Sequence, residues 1–469
     1  KAQYTAGLTT LELNGASDIE IKEMHKQFLN YLIMHEMGHT LGLNHNMKSS
    51  QMLSPAEVNN TAITHKIGLM GSVMDYPAIN IALDKSKQGD YYTTKAGPYD
   101  LWAIEYGYTP FNAEEEEAGL AKILSRSTDP KLTFGNDGDD MRAPGSGIDP
   151  RVNVNDFTND AIGYGEERFK IVNNLLGKLV AKYAKPGKSY AELRARYGSL
   201  LSQRRNMVAA TSRYIGGIYV DRSTPDQKSA TKPYTPVPLA IQKKAMNSLG
   251  KYIFAPNAYE ADAQVFPYLQ LQRRGFNQGR GEDYKVTASL NALSTSALDQ
   301  ILAKQIPQVL VHAAGILRVG SLGELDMQAG HLMWQLHVDV ATRLANRILP
   351  IMKQAQHGRM ILVGSRVSNG IAGRSQYAAT KAAILSLARS WAAESIAEGV
   401  TVNVVSPAAT DTPMLKDPAR VGTTPRLPPI GRLIQPDEVA ALVAFLTRPE
   451  AAAITGQDIA ICGGASVLR

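Results

Sequence analysis

The chain has 469 residues, too many for one ordinary domain, so two or three are expected. Its apolar fraction of 44% is ordinary for a globular protein, and a net charge of +7 with no long basic run argues against nucleic-acid binding. A single cysteine, Cys462, rules out an intrachain disulfide, and no stretch is long and apolar enough to span a membrane. No secretory leader follows Lys1, which is not an initiator residue.

The first element is His35-Glu36-Met37-Gly38-His39-Thr40-Leu41-Gly42-Leu43-Asn44-His45, which spells H-E-x-x-H-x-x-G-x-x-H. Histidines four apart on a helix face the same way, so His35 and His39 reach one metal ion. Glu36 is placed to take a proton from a metal-activated water. Gly42 can adopt positive φ, end the helix and bring His45 back as a third ligand. Three nitrogen ligands leave one position open, the mark of a catalytic zinc site. Phe28, Tyr31 and Leu32 extend the helix face that carries the histidines.

Downstream, Gly71-Ser72-Val73-Met74-Asp75-Tyr76-Pro77 resembles the Met-turn of the metzincins. That resemblance implies that Met74 forms a floor under the zinc histidines and that Tyr76 stabilises the oxyanion. Further segments resemble a family of large bacterial zinc-dependent metalloproteases. They lie at 45–50, 52–55, 99–108, 148–151, 266–270 and 273–277. The resemblance runs over residues 1–277 and implies a mainly α, metzincin-like C-terminal catalytic part over 1–109, with a helical region over 110–277. In metzincins a twisted sheet precedes the zinc helix, and its edge strand holds the peptide. Only 34 residues precede His35, so an N-terminally truncated peptidase is expected.

Between 110 and 272 the pattern is helical. Val172, Leu176, Leu179 and Tyr183 share one face, as do Tyr190, Leu193, Tyr197 and Leu200. Ser189 and Glu192 have capping-box spacing for the second of these helices. Arg204-Arg205 and Arg273-Arg274 read as solvated surface, and 114–117 as an acidic helix start. Asp137, Asp139, Asp140 and Asp149 lie in a Gly/Pro-rich stretch and read either as a polar surface loop or as calcium ligands. A Gly-rich junction follows at 278–283.

Beyond it, apolar strands at 308–312, 360–364, 400–405 and 458–461 alternate with helices near 329–356, 375–398 and 435–447. This alternation implies a parallel sheet flanked by helices. Tyr377 and Lys381 form a Tyr-x-x-x-Lys pair one helical turn apart, and Ser365 ends the preceding strand twelve residues before the Tyr. A phenol serves as acid or base when a nearby ammonium lowers its pKa. Followed by Ser406-Pro407-Ala408-Ala409-Thr410-Asp411-Thr412, this pattern resembles the short-chain dehydrogenase/reductase (SDR) family over 284–469. The resemblance implies Ser365, Tyr377 and Lys381 as the catalytic set. It implies cofactor contacts at Ala313, Gly315, Lys381, Pro407 and Thr412, and Gly463-Gly464 as the closing segment.

Four departures from that family stand out. Val311-His312-Ala313-Ala314-Gly315 replaces the usual Asn-Asn-Ala-Gly, and His337 holds the place of a helix Asn that supports a proton-relay water. Ser289 falls near the usual adenine-binding Asp. No T-G-x-x-x-G-x-G loop precedes 284, so the backbone cradle for a pyrophosphate is missing and NAD(P) binding should be weakened. The expected fold is multidomain: a mainly α metzincin-like catalytic part followed by a partial α/β Rossmann-type parallel sheet. Three functions follow: a zinc metallopeptidase fused to a partial SDR, an SDR alcohol/ketone oxidoreductase as the only active part, or a catalytically silent chimera. The expected cofactors are Zn2+ and weakly held NAD(P). The expected partners are a peptide or protein, a small carbonyl or alcohol, and a second copy through SDR-like helices. The first part suggests an exported protein and the second a cytoplasmic one.

Overall fold

The structure is a computed structural model that describes residues 2–142, 147–228, 230–255, 257–269, 286–302, 307–417 and 427–467. The chain divides into two compact units, Lys1–Gln305 and Ile306–Arg469. The junction expected at 278–283, Arg273-Arg274 and the glycines at 275, 279 and 281 lie outside the described residues.

The first unit is mainly helical. Helices α1 (Ala2–Leu13) and α2 (Asp18–Thr40) are followed by α3 (Thr61–Ile67), α4 (Pro98–Tyr108) and α5 (Glu116–Leu124). A long pair comes next, α6 (Ala161–Tyr183) and α7 (Ala191–Ser212). Strands β1 (Ile218–Val220) and β2 (Tyr234–Pro236) pair antiparallel, a small sheet that the helical pattern did not suggest. The unit ends with α8 (Leu239–Leu249), α9 (Glu260–Ala263) and α10 (Val286–Leu302).

Helix α2 begins at a capping box that the sequence reading missed. The Ser17 side chain accepts from the Glu20 backbone N–H, and the Glu20 carboxylate accepts from the Ser17 N–H. The helix stops at Thr40, and Gly42 turns the chain with φ +85°. Met24, Gln27, Tyr31, His35 and Gly38 are the buried positions of α2, a stripe of period 3.6. Leu32, expected on that face, is exposed: it is one residue from Tyr31 and so about 100° away around the helix.

The α6–α7 pair buries Val172, Leu176 and Leu179 with Leu193, Tyr197 and Leu200 in one core, as the spacing predicted. Two details differ. Ser189 Oγ accepts from the Ala191 N–H, but Tyr190 is the N-cap and no capping box forms; Glu192 pairs with Arg196 instead. Arg204 is not solvated surface. It is 1% exposed and donates two hydrogen bonds from Nη1 to Asp262, at 2.9 and 2.8 Å. A buried guanidinium persists only when so paired, and Asp262 is distant in sequence.

Helix α10 lies inside the segment whose sequence resembles an SDR, yet its described side chains pack in the first unit. Leu293 joins the core of α6 and α7, and Ala297 and Ile301 join Phe169, Met207 and Leu249 in a second core. Ser212 Oγ donates to Gln300 Oε1.

In the second unit, β3 (Val309–His312), β4 (Gly358–Val363), β5 (Val400–Pro407) and β6 (Asp458–Ile461) form a parallel sheet in that spatial order. The crossovers are α11 (Met327–Trp334) continuing through a π-helical turn at Gln335–Asp339 into α12 (Val340–Gln354), then α13 (Ser375–Ser395), then α14 (Pro436–Leu446). Strands β4 and β5 are buried on both faces, with Arg359, Thr401, Asn403 and Ser406 as buried polar residues among their apolar ones. Strands β3 and β6, expected to be buried, instead expose alternate positions as the outer strands of the sheet.

Truncating Leu293 to Ala in the full chain should cost about 2–5 kcal/mol of local stability. By hydrogen exchange, α6 and α7 should lose protection while β4 and β5 keep theirs; the opposite pattern would assign α10 to the second unit.

Candidate functional site

Two groups of chemistry-bearing residues emerge, one in each unit. In the first, His35 and His39 sit on one face of α2, and the turn at Gly42 returns His45 to them. One ring nitrogen from each lies within 4.8 Å of the others. The outward-facing nitrogens are all engaged. His35 Nδ1 lies 2.8 Å from the Val73 carbonyl oxygen and His39 Nδ1 lies 3.1 Å from that of Leu43. His45 Nδ1 lies 3.3 Å from Asp137 Oδ2. Carbonyl oxygens only accept, so Nδ1 carries the hydrogen in His35 and His39, and an ionised Asp137 imposes the same tautomer on His45. The inward Nε2 atoms are then bare lone pairs.

Those lone pairs test whether a zinc ion fits. His35 Nε2 is buried with no hydrogen-bond partner. His39 Nε2 and His45 Nε2 are 3.2 Å apart, and two lone pairs at that distance repel unless a cation lies between them. Burial, reinforced by the nearby His39 and His45, lowers the pKa of His35, which keeps its ring neutral and able to ligate. The donor set fits the metal.

Tyr76 and Glu36 complete the group. The Tyr76 hydroxyl lies 3.0 Å from His45 Nε2. Burial, with the charges of Glu36 and Asp137, raises its pKa, so it stays a hydroxyl donor at neutral pH. Glu36 is exposed on the open side of α2, and its charge is felt by both His35 and Tyr76.

The Met74 segment positions this group. The Met74 side chain is fully buried, and a Cβ added at Gly38 would fall 2.3 Å from its Sδ. Only glycine lets α2 settle so closely on the sulfur. The Tyr31 hydroxyl donates to the Asp75 carbonyl oxygen, and the Asp75 carboxylate accepts from the Ser50 N–H at 2.8 Å and from Ser49 Oγ at 3.0 Å. Burial raises the Asp75 pKa to about 7.

Sequence reasoning missed Asp137 as a partner of His45. It was read with Asp139, Asp140 and Asp149 as surface loop or calcium ligands, but these carboxylates do not converge. Asp137 is buried against His45 and Arg142, Asp140 pairs with Arg222, and Asp149 is buried between Arg151 and Lys48. Asp137, Asp140 and Asp149 each face their own cation, so these three form separate ion pairs.

In the second unit the expected residues gather at the C-terminal ends of the parallel strands, where such sheets bind ligands. Ala313 and Gly315 follow β3, Ser365 follows β4, Pro407 ends β5 and Thr412 lies beyond it. Gly315 and Thr412 line a cavity of about 770 Å³ with Ile316, Asp411, Pro413, Met414 and Asp417. Tyr377 and Lys381 are buried on α13, and Lys381 Nζ donates to the Val363 carbonyl at 2.8 Å. Burial lowers the Lys381 pKa to about 8. His337 sits in the π-helical turn. Its Nε2 accepts from the Ile316 N–H at 3.0 Å and its Nδ1 meets Thr380 Oγ1 at 2.7 Å. Burial, helped by the Lys381 charge, lowers its pKa to about 3, so the ring is a neutral strut between the cavity wall and α13.

For a nicotinamide dinucleotide these residues fit one end only. At Gly315 an added Cβ would come 3.1 Å from His337 Nε2, so the close packing of this turn on His337 favours glycine. Among the described residues of this unit, no glycine-rich strand-to-helix turn stands beside β3 to hold a pyrophosphate. Ser289 lies in α10, its side chain outside the described residues.

Comparison with known proteins finds two families along the chain. A family model described as Met-zincin matches residues 17–341, and one described as Enoyl-(Acyl carrier protein) reductase matches 285–466. The chain belongs to the Met-zincin family, and its C-terminal part to the short-chain dehydrogenase/reductase family. The 3-oxoacyl-acyl-carrier-protein reductase FabG of Vibrio cholerae is 36% identical over 194 residues, 40% of this chain and 78% of the relative. That of Escherichia coli is 34% identical over 184 residues, 37% of this chain and 75% of the relative. A solved short-chain dehydrogenase/reductase family protein shares 32% identity over 37% of this chain and 73% of its own, with a TM-score of 0.33. The two family matches overlap over 285–341, and α10 lies in that overlap.

Asp75 gives this site a pH signature. Its folded pKa of about 7 exceeds the ordinary 3.8, so the folded state holds the proton more tightly. The stability this gives is full below about pH 4 and is lost as pH rises through about 7, by on the order of 1.4 kcal/mol per pH unit at most. In metal-free protein, Asp75→Asn should flatten the change in urea midpoint between about pH 5 and about pH 8. Parallel profiles for the variant and the wild type would show that Asp75 carries no such load.

Proposed function

We propose that the first unit is a zinc-dependent peptidase. The observation that carries this reading is the convergence of three Nε2 lone pairs whose opposite nitrogens are already bound, beside a free carboxylate and a phenol. His35, His39 and His45 hold the ion. Bound there, zinc supplies Lewis acidity toward the scissile carbonyl and the attacking water. Glu36 takes the proton from that water and returns it to the departing amine. The Tyr76 hydroxyl, kept protonated by its surroundings, donates a hydrogen bond to the oxygen on which negative charge develops. Met74 and Gly38 fix the level of α2, and so the height of two of the three ligands.

Metal analysis of the full chain should find about one zinc per chain under metal-replete conditions. Less than about half an equivalent would count against the site. Glu36→Gln should keep the metal and lower peptide hydrolysis by at least about 10²-fold. Retained turnover would remove Glu36 from the base role.

A second reading concerns the second unit, favoured by the burial of Tyr377 beside Lys381 on α13. We infer a carbonyl or alcohol oxidoreductase site of SDR type. Lys381, held on the Val363 carbonyl, keeps positive charge near the phenol of Tyr377, which passes a proton to or from the substrate oxygen. Ser365 holds that oxygen. No hydride step is derived, because the pyrophosphate end lacks a cradle among the described residues. Fluorescence titration of the full chain with NADPH should give a Kd no tighter than about 1 mM, about 4 kcal/mol of binding. Micromolar binding would show that other residues hold the phosphates.

A further inference from the structure

The three histidines of the candidate metal centre differ in what holds their Nδ1 atoms. His35 and His39 lean on main-chain carbonyls, so no side-chain substitution removes their acceptors. His45 leans on a side chain. Asp137 Oδ2 lies 3.3 Å from His45 Nδ1, and the carboxylate is 9% exposed. The same oxygen receives Arg142 Nη2 at 3.0 Å. The loop is fastened nearby: Asp140 Oδ2 accepts from the Asn136 N–H at 2.7 Å, and Arg222 reaches Asp140 Oδ1 at 2.6 Å. Asp137 is therefore presented by an anchored segment.

His45 also needs orienting more than the other two. His35 and His39 ride on α2, whose backbone fixes their spacing. His45 lies beyond the helix end at Thr40 and beyond the Gly42 turn, in irregular chain. Its ring makes edge or tilted approaches to His35, His39 and Tyr76, and the Tyr76 hydroxyl meets Nε2 on the side an ion would occupy, so with the ion bound neither ring rotation nor tautomer is fixed from that side. Asp137 supplies both missing specifications. Its acceptor oxygen fixes the ring rotation, and its charge fixes the hydrogen on Nδ1 and makes Nε2 a stronger donor.

We propose that Asp137 is the positioning residue of the third metal ligand, forming an Asp137–His45–metal relay that sets zinc affinity in this chain. The proposal rests on the zinc reading of the first unit. Arg142, mostly exposed, tempers the carboxylate without touching His45, so its ion pair contributes little.

The test is zinc affinity of the full chain, by competition with a chromophoric chelator. Asp137→Ala should weaken binding by about 10–100-fold, while Asp137→Asn, which keeps an acceptor oxygen, should recover most of the loss. Arg142→Ala disturbs the same loop but leaves the acceptor in place, so its affinity should stay within about threefold of wild type. With Co2+ in place of zinc, the visible ligand-field bands should shift in Asp137→Ala and return toward wild type in Asp137→Asn. Unchanged zinc affinity in Asp137→Ala, or an equal loss in Arg142→Ala, overturns the proposal and leaves the peptidase reading standing. Failure of the wild type to bind zinc overturns both.

Discussion

The candidate metal centre depends on how the turn around Met74 is fastened to helix α2. Three ties cross that contact: His35 to the Val73 carbonyl, Tyr31 to the Asp75 carbonyl, and Gly38 against the Met74 sulfur. The turn is itself held from behind. Asp100 accepts from the Val73 and Gly97 N–H groups and from Ser72 Oγ, and the Met74 carbonyl accepts from the Asn46 N–H. Every group in this junction is buried or spent, so the turn cannot drift without stranding polar atoms. A ring hydrogen-bonded to a fixed main-chain carbonyl is preorganised before any metal arrives. What remains for the ion is to meet lone pairs already aimed inward.

Local features of that site were legible because helix geometry converts spacing into direction. His35, His39, the Gly42 turn and the helix face carrying Tyr31 follow from residues within a few turns of one another. Met74 and Tyr76 came from a resemblance, and their geometry needed the fold. Asp137 and the Arg204–Asp262 pair were not legible. Each joins residues far apart in sequence, and a lone Asp or Arg looks the same whether it is solvated or buried against a partner. Composition favours the solvated reading for both, because charged residues are rarely fully buried unless paired. Leu32 failed for a smaller reason: the buried stripe of α2 is narrower than an apolar pattern alone conveys.

The second unit shows the opposite balance. Its strands could be read to within a few residues, because short Val/Ile/Leu-rich runs alternating with helical patterns mark the strands of a parallel sheet even where Thr401 and Asn403 interrupt the apolar residues. Helix α10 could not be placed. An amphipathic helix declares that it has a face to bury, not which core receives it. Its sequence lies within both family matches, and its described apolar residues settle among α6, α7 and α8. A helix that carries the pattern of one enzyme thus serves the core of another, which ties the first unit's stability to residues past the Gly-rich junction.

The two sites consequently differ in what limits them. In the first unit, the proposed ligand set, its orienting partners and the proposed proton-handling groups all belong to one packed body. In the second, the groups that move a proton are assembled: Lys381 is buried on a carbonyl, and His337 braces the cavity wall to α13. The binding energy of a dinucleotide, however, is drawn largely from its phosphates, through backbone N–H groups at a helix N-terminus. On the proposed reading, the proton-transfer groups stand without that anchor among the described residues, and this is the ground for expecting low occupancy. The proposed metal centre gathers its ligands in three lone pairs, held from behind by the Val73 and Leu43 carbonyls and by the Asp137 carboxylate. The reductase-like site spreads its binding energy over an element that its catalytic residues do not touch.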